Sequence, residues 1–258
     1  KSRENYDQAI IKDHNNYDVK EALAHLEWGE GDEQKALKLF HELKPQKYIE
    51  NSTYKEIQQS NHIPRTKEDV LKEIKKDEIH EGRDFELKTT MYCPVRQKES
   101  GKYGIVDLHK FSKEKIIPEV VKGIVAFLNT DGGDLIVGIQ EKPFKKIYGV
   151  ETDLEFLGIA RWDDWHNKTS EMIKTQIGSR HMRLVNIKPI EYINEEGSSI
   201  TLAWIQVSKG TSSMGLAFLK DGTSFERDNA TSPEINAKRM YELMNDRYNQ
   251  DGKNTILK

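Results

Sequence analysis

The sequence contains a single cysteine, Cys93, among 258 residues. One cysteine excludes an internal disulfide framework and a zinc site built from cysteines, and it suits a reducing compartment. No apolar run approaches the roughly 18 residues that a membrane helix needs, and residues 1 to 30 are polar rather than typical of a signal peptide. These absences predict a cytoplasmic protein without a membrane segment.

The chain also lacks a large net charge of either sign. Although 32% of the residues are charged, the formal net charge is only −3. Any surface that binds nucleic acid must therefore be local. The sequence has no HExxH zinc motif, and "ESGKYG" is not a phosphate loop, since Arg96 and Tyr103 stand where that motif needs Gly and Ser or Thr. The chain begins with Lys1 rather than Met, so we expect it to be part of a longer protein.

The first 66 residues have the pattern of a helical hairpin. Apolar residues recur at helical spacing over residues 18–43, on both sides of the sequence Gly-Glu-Gly-Asp at 29–32. The pair Ala36 and Phe40 is similar to half of a tetratricopeptide-type repeat, so the hairpin is either isolated or the end of a repeat array. We expect a helical segment with a connector over 1–66, which would bind a protein partner or act as a sensor, and a second domain over 67–258. A homo-oligomer is a further expectation.

The second domain mixes helices and strands without a strict βαβ rhythm, which predicts an α+β fold. In "DFELK", Phe85 and Leu87 share one face, which is typical of a half-buried strand, and residues 89–113 read as a long loop. A helix with Pro118 in its first turn should end at Gly132 or Gly133, where "DLIVGI" begins a strand. The remaining predicted elements are a hairpin to "IYGV", a helix over 164–177, strands over 184–193, 200–207, 215–219 and "SFER", and a helix over 233–247.

Three glutamates, Glu81, Glu86 and Glu141, lie in or next to the two predicted strands that precede and follow the helix with Pro118. Glu81 and Glu86 are five residues apart, and an odd spacing cannot place both on one face of a strand, so we expect Glu81 in the preceding turn. Glu141 directly follows the strand "DLIVGIQ". If the two strands are neighbours in the sheet, the three carboxylates meet at one end of it.

Three clustered carboxylates raise one another's pKa unless a cation neutralises them. Mg²⁺ or Mn²⁺ prefers such oxygen ligands and commonly bridges them to phosphate, which favours phosphodiester hydrolysis. Lys88, on the same strand face as Glu86, would stabilise the transition state. The alternative is that Glu81, Glu86 and Glu141 are solvated acids on a charge-rich surface.

A second candidate surface is basic. The segment 168–188 has few acids, and it is either a stripe that contacts phosphate or simply the exposed face of a helix and its exit turn. Its candidate nucleic-acid-binding residues are Lys168, Lys174, Arg180, Arg183 and Lys188.

Six segments, in this order, closely resemble the AlbA_2 or Schlafen-like domain of bacterial proteins and vertebrate Schlafens over about residues 78–247. They are "EGRDFELK", "AFLNTDGGDLIVGIQE", "YGVETD", "TQIGSRH", "ITLAWIQVSKG" and "GTSFERDNATSP". The resemblance implies a mixed α/β fold and nucleic-acid binding. Vertebrate members with an intact acidic trio are metal-dependent ribonucleases that act on transfer and ribosomal RNA.

By motif position, the family's acids fall on Glu81, Glu86 and Glu141, and its lysine falls on Lys88. The chain departs from the pattern in Leu87, where the family has Phe, and in Glu141, where the family usually has Asp. The family's Tyr-x-Arg element corresponds to Phe-Glu-Arg ending at Arg227, which would contact phosphate or brace the site.

Three functions remain open at this stage. The first is a metal-dependent endonuclease with RNA favoured over DNA, coupled to the N-terminal helices as an effector of antiviral defence. The second is a non-catalytic module that binds DNA or RNA. The third takes "DFELK" as part of a restriction-endonuclease-like core with Asp77 or Glu81 upstream, which would not need Glu141.

Overall fold

The computed structural model of the protein describes residues 65–76, 79–194 and 196–255. Except for the end of the last helix, they belong to one compact unit, Pro64–Gly252. The helical hairpin, the repeat-like pair and the partner or sensor role predicted for residues 1–66 lie outside the described residues, apart from Arg65 and Thr66.

A four-stranded mixed sheet forms the centre of the fold, and it confirms the α+β class. Its strands are β1 (Phe85–Lys88), β2 (Gly133–Val137), β5 (Val185–Ile193) and β6 (Ser199–Val207), in the order β1-β2-β6-β5. β1 and β2 are parallel, with Glu86 opposite Leu135, whereas β6 is antiparallel to both β2 and β5. The two strands that carry the candidate acids are therefore neighbours. A small hairpin follows β2 and consists of β3 (Ile139–Gln140) and β4 (Lys146–Ile147). It confirms the predicted hairpin, although its second strand shares only Ile147 with "IYGV".

Helices cover both faces of the sheet. On one face, α1 (Lys67–Lys75) buries Val70 and Ile74 against a cluster that includes Phe85 and Trp204. The other face is covered by α4 (Ile117–Asn129) and α6 (Trp162–Met182), whose apolar residues pack on Leu135 and Ile205. The remaining helices are α2 (Val95–Glu99), α3 (Ile105–Phe111), α5 (Glu151–Leu157) and α7 (Ala237–Thr255), with a π-helical turn at Ser112–Ile116 and a 3₁₀ turn at Ser212–Met214. Across the described ranges, no helix is both long and apolar enough to cross a membrane.

Helix α4 ends at a glycine in the left-handed conformation, as the sequence predicted. Gly132 adopts φ 85° and its N–H donates to Phe127 O at 3.0 Å, which ends the helix and lets β2 begin at the next residue. Pro118 lies in the first turn of α4, as expected.

The predicted long loop over 89–113 is wrong, because this segment contains α2 and α3. The buried carboxylate of Asp153 accepts the backbone N–H groups of Met91, Tyr92 and Cys93 at 2.8, 2.9 and 2.8 Å, and also the indole N–H of Trp165 at 3.3 Å. These bonds hold the chain in a defined path after β1. Cys93 itself is a buried free thiol, and burial raises the pKa of that thiol to about 11.

The predicted strands over 215–219 and "SFER" are also corrected, since neither segment joins a sheet. Their backbone groups bind the buried Asn129 side chain instead: its Nδ2 donates to Ala217 O and Phe225 O, and its Oδ1 accepts from Ala217 N at 2.8 Å. Isolated bridges pair Phe225 with Glu234 and Asp228 with Thr231 in this region. The last helix starts at Ala237 rather than 233.

Candidate functional site

The second acid of the candidate trio, Glu86, lies inside the protein. Alternation along β1 turns Phe85 and Leu87 toward α1, so Glu86 faces α4 on the other side of the sheet. Helix α4 approaches so closely that a Cβ atom on Gly123 would lie 2.7 Å from Oε2 of Glu86. Glu86 is only 4% exposed, so the prediction of a half-buried strand is wrong, and Glu86 is not the solvated acid of the alternative interpretation.

Two cations neutralise the Glu86 carboxylate. Lys88 Nζ lies 2.5 Å from Oε1, and Arg227 Nη1 lies 2.6 Å from Oε2. A buried carboxylate without such partners would cost several kcal/mol, on the order of 3–5. The group Lys88–Glu86–Arg227 carries a formal charge of +1, from two cations and one anion. Lys88 is the part of this group that reaches solvent, with 23% of its side chain exposed.

Arg227 is a brace for the site. Its guanidinium donates to Gly82 O from Nε at 3.1 Å and from Nη2 at 2.9 Å, to Phe85 O at 3.3 Å and to Ser232 Oγ at 3.2 Å. It also lies over the ring of Phe127 at 5.1 Å. Because Arg227 is 4% exposed and donates within the protein, the structure favours the bracing role over a direct phosphate contact.

Glu81 lies in the turn before β1, where the sequence predicted it. Its Oε1 accepts the backbone N–H of Leu87 at 2.8 Å, which folds the carboxylate back along the strand. Burial raises the pKa of Glu81, and the negative charges of Glu86 and Glu141 raise it further, whereas the Leu87 bond and Lys88 lower it. Glu86 and Glu141 therefore each lie within electrostatic range of Glu81.

Glu141 follows the short strand β3, and its nearest cation is Lys142 Nζ at 3.4 Å. The structure brings the three acids to one end of β1 and β2 but does not arrange them as a ligand set. Within residues 65–76, 79–194 and 196–255, no three His, Cys, Asp or Glu side chains are grouped so that they could hold a metal ion. The carboxylate oxygens are the donors that a hard cation prefers, so metal binding by these glutamates stays a prediction.

The basic residues of segment 168–188 do not form one stripe. Lys168 and Lys174 lie on α6, which covers one face of the sheet, and Lys174 pairs with Glu171 at 3.3 Å. Lys188 lies on the opposite face of β5, where its Nζ sits 5.2 Å from the ring of Trp204 and donates to Gln206. Strand alternation therefore places Lys188 on the face of the sheet opposite to the one that α6 covers, away from Lys168 and Lys174.

The two arginines of that segment lie near the end of α6. Gly178 interrupts the helix with φ 81° and ψ 157°, and the exposed Arg180 beyond it donates to the carbonyl of Ser213. Arg183 is exposed after the helix ends at Met182. A nucleic-acid contact by any single one of the basic residues stays a prediction.

Comparison with known proteins identifies the class. Residues 81–236 match the family model described as Schlafen, AlbA_2, and this span is more than half of the chain. The chain therefore belongs to the Schlafen AlbA_2 family, which indicates a nucleic-acid-related function.

The comparison with curated proteins gave no match. Among solved structures, the chain is similar to the DIP2311 protein from Corynebacterium diphtheriae, with 19% sequence identity and a TM-score of 0.34. That similarity covers 50% of this chain and 21% of the DIP2311 chain, so it spans about a fifth of that protein's length.

Proposed function

We propose that the chain binds nucleic acid at the end of the sheet where β1 and β2 finish, with Lys88 as the central phosphate contact. The observation that supports this proposal is the charge of the Lys88–Glu86–Arg227 group. Glu86 is shared between two cations, so a formal charge of +1 remains, and Lys88 presents it to solvent. Phosphate contacts from lysine provide most of the affinity in binding that is not sequence-specific.

A binding measurement at two salt concentrations tests this function. The affinity of the full chain for single-stranded RNA should fall steeply between about 50 and 200 mM salt, and the slope of log K against log salt should decrease by about 0.7 in Lys88→Gln. The matched control is Lys113→Gln, which changes an exposed lysine of the π-helical turn. Equal affinities and slopes for wild type and Lys88→Gln would contradict the proposal.

A second candidate is a metal-dependent endonuclease that acts on RNA in preference to DNA. The observation that favours it is the position of Glu81, whose pKa is raised first by burial and then by the negative charges of Glu86 and Glu141. Mg²⁺ or Mn²⁺ would offset the repulsion that Glu81 experiences from Glu86 and Glu141, and a bound cation would supply charge stabilisation at a scissile phosphate. Glu81 and Glu141 are the more available ligands, because both oxygens of Glu86 already bind cations.

Cleavage and binding assays distinguish the two functions. With Mn²⁺, a nuclease should cut transfer RNA, single-stranded DNA or double-stranded DNA, and Glu81→Gln should abolish cutting while leaving RNA binding intact. A non-catalytic binder should cut none of these, and its affinity should not change with EDTA. The effector role in antiviral defence depends on a sensor in residues 1–66, so it stays a proposal that follows only from the nuclease.

A further inference from the structure

A cavity of about 380 Å³ opens beside Lys88. Its walls come from the segment after β1, from the π-helical turn and from the first turn of α4. The segment after β1 is the stretch that sequence patterns predicted to be an irregular loop. The cavity volume is at the small end of the range for small-molecule sites, roughly 300–1,000 Å³, and it suits one nucleotide rather than a base pair.

Cations dominate the charge of the cavity. Lys88, Arg96 and Lys115 line it, and the single acid in its wall, Glu119, already pairs with Lys122 at 2.9 Å. Arg96 makes a long hydrogen bond of 3.4 Å to Lys142 O, and no ion pair engages Lys115 among the residues that the structure describes. Both cations are exposed, so an anionic group can reach them.

The rest of the wall suits a base. Phe111 supplies an aromatic ring, and the amides of Gln97 and Gln140 supply donors and acceptors. Aromatic rings stack on unpaired bases, and such contacts recognise single-stranded nucleic acid, since bases in a duplex are already stacked. The cavity therefore combines the two features that distinguish a nucleotide site from a site for a simple anion.

The wall is fixed before any ligand arrives. Thr90 and Cys93 line the cavity, and the N–H of Cys93 donates to the buried Asp153 carboxylate at 2.8 Å. Thr90 Oγ1 donates to Cys93 O at 2.5 Å. A preformed wall lowers the ordering cost of binding.

We propose that this cavity binds one unpaired nucleotide of a single strand, with its phosphate at Arg96, Lys115 and Lys88 and its base at Phe111. The inference rests on the proposed function, because it makes this nucleotide the neighbour of the phosphate that Lys88 contacts. It adds a substrate class: the site selects single-stranded or extruded nucleotides over intact duplex.

Calorimetry with the full chain tests the proposal directly. Adenosine, cytidine, guanosine and uridine 5′-monophosphates are titrated beside inorganic phosphate and adenosine. At least one monophosphate should bind about tenfold more tightly than phosphate or adenosine, because it uses both parts of the cavity. Lys115→Gln and Arg96→Gln should each weaken that binding about fivefold to tenfold. Lys113→Gln, in the same π-helical turn but outside the cavity wall, should leave it unchanged.

The outcomes separate this proposal from the proposed function. Equal affinity for phosphate and every monophosphate would show an anion site without base recognition and would overturn the nucleotide site. If no monophosphate binds while the full chain still binds RNA through Lys88, the cavity proposal fails and the proposed function stands. If the wild-type full chain does not bind RNA at all, both the cavity proposal and the proposed function fail. If Lys115→Gln weakens binding of single-stranded RNA more than binding of duplex RNA, the result would support the cavity as a site for an unpaired nucleotide.

Discussion

Arg227 and Glu86 are 141 residues apart in the sequence and form an ion pair of 2.6 Å in the interior of the protein. The same guanidinium binds the carbonyl oxygens of Gly82 and Phe85, so it ties the C-terminal segment to the turn that carries Glu81. The pair fixes the position of Glu86 and leaves Lys88 as the cation at the surface. A buried arginine and a lysine that reaches solvent thus share one carboxylate.

Replacing Arg227 by methionine should strongly destabilise the fold. The change removes five hydrogen bonds to neighbouring groups and leaves the buried Glu86 with Lys88 alone. Breaking a buried pair in this way costs about 3–5 kcal/mol of unfolding free energy. Urea unfolding measures the loss. Arg239→Met is the control, because Arg239 is 40% exposed in its pair with Glu226 and should cost about 1 kcal/mol or less. Equal losses of unfolding free energy in the two variants would show that the buried Arg227 pair contributes no more to stability than an exposed pair does.

Gly123→Ala tests how tightly α4 covers the same carboxylate. The new methyl group would lie 2.7 Å from Glu86 Oε2, and that oxygen is fixed by Arg227, so the helix or the strand must shift. We expect a loss of about 1–3 kcal/mol, despite the higher helix propensity of alanine. Gly82→Ala is the matched control, since no atom lies within 4 Å of the corresponding position. A thermal melt that shows Gly123→Ala as stable as wild type would mean that Glu86 is free to move.

Local patterns predicted the elements whose structure is set by nearby residues. The end of α4 at Gly132 and the hairpin of β3 and β4 depend on backbone turns and apolar periodicity within a few positions. The burial of Glu86 was not predictable in this way. Strand alternation gave its direction, but the residues that cover it are distant in the sequence: Gly123 lies on α4, and Arg227 is 141 residues away.

Long-range contacts also determine the irregular segments whose structure was predicted wrongly. α2 and α3 are short helices, which are marginal on local propensity and depend on tertiary contacts. Their path follows from Asp153, whose carboxylate binds Met91 from 62 residues away. The segment around Ala217 has strand-like composition, yet Asn129 from the α4 terminus satisfies its backbone groups. A buried polar side chain that binds backbone at long range has no periodic signature.

Asp153→Ala should release the chain after β1 and thereby disturb the cavity wall. The substitution leaves three backbone N–H groups and the indole N–H of Trp165 without their acceptor, and each buried donor costs about 1–3 kcal/mol when unpaired. We expect a total loss of at least about 3 kcal/mol, measured by urea unfolding. Hydrogen exchange should accelerate first at residues 91–93.

The control for this change is Asp163→Ala, which removes an exposed acid near the start of α6. It should leave exchange at residues 91–93 unchanged. Uniformly faster exchange in Asp153→Ala, without a local maximum at those residues, would contradict an anchoring role. It would instead point to general loosening of the core around Trp165.

Glu81 makes stability depend on pH with a definite sign. Because burial, Glu86 and Glu141 raise its pKa in the folded state, the folded protein holds this proton more tightly than the unfolded chain does. The contribution of Glu81 to the unfolding free energy is therefore fully present below the unfolded pKa and is lost as pH rises through the folded pKa.

Glu81→Gln should remove this dependence, because glutamine keeps an oxygen to accept the Leu87 N–H but cannot ionise. Compared with wild type, the variant should become relatively more stable as pH rises through that window, as measured by urea unfolding at a series of pH values between about 4 and 8. The exposed Glu191→Gln is the control and should follow the wild-type curve. A relative gain for Glu81→Gln as pH falls would reverse the expected sign. Added Mn²⁺ that stabilises wild type at neutral pH, but not Glu81→Gln, would show that a cation neutralises the same charge.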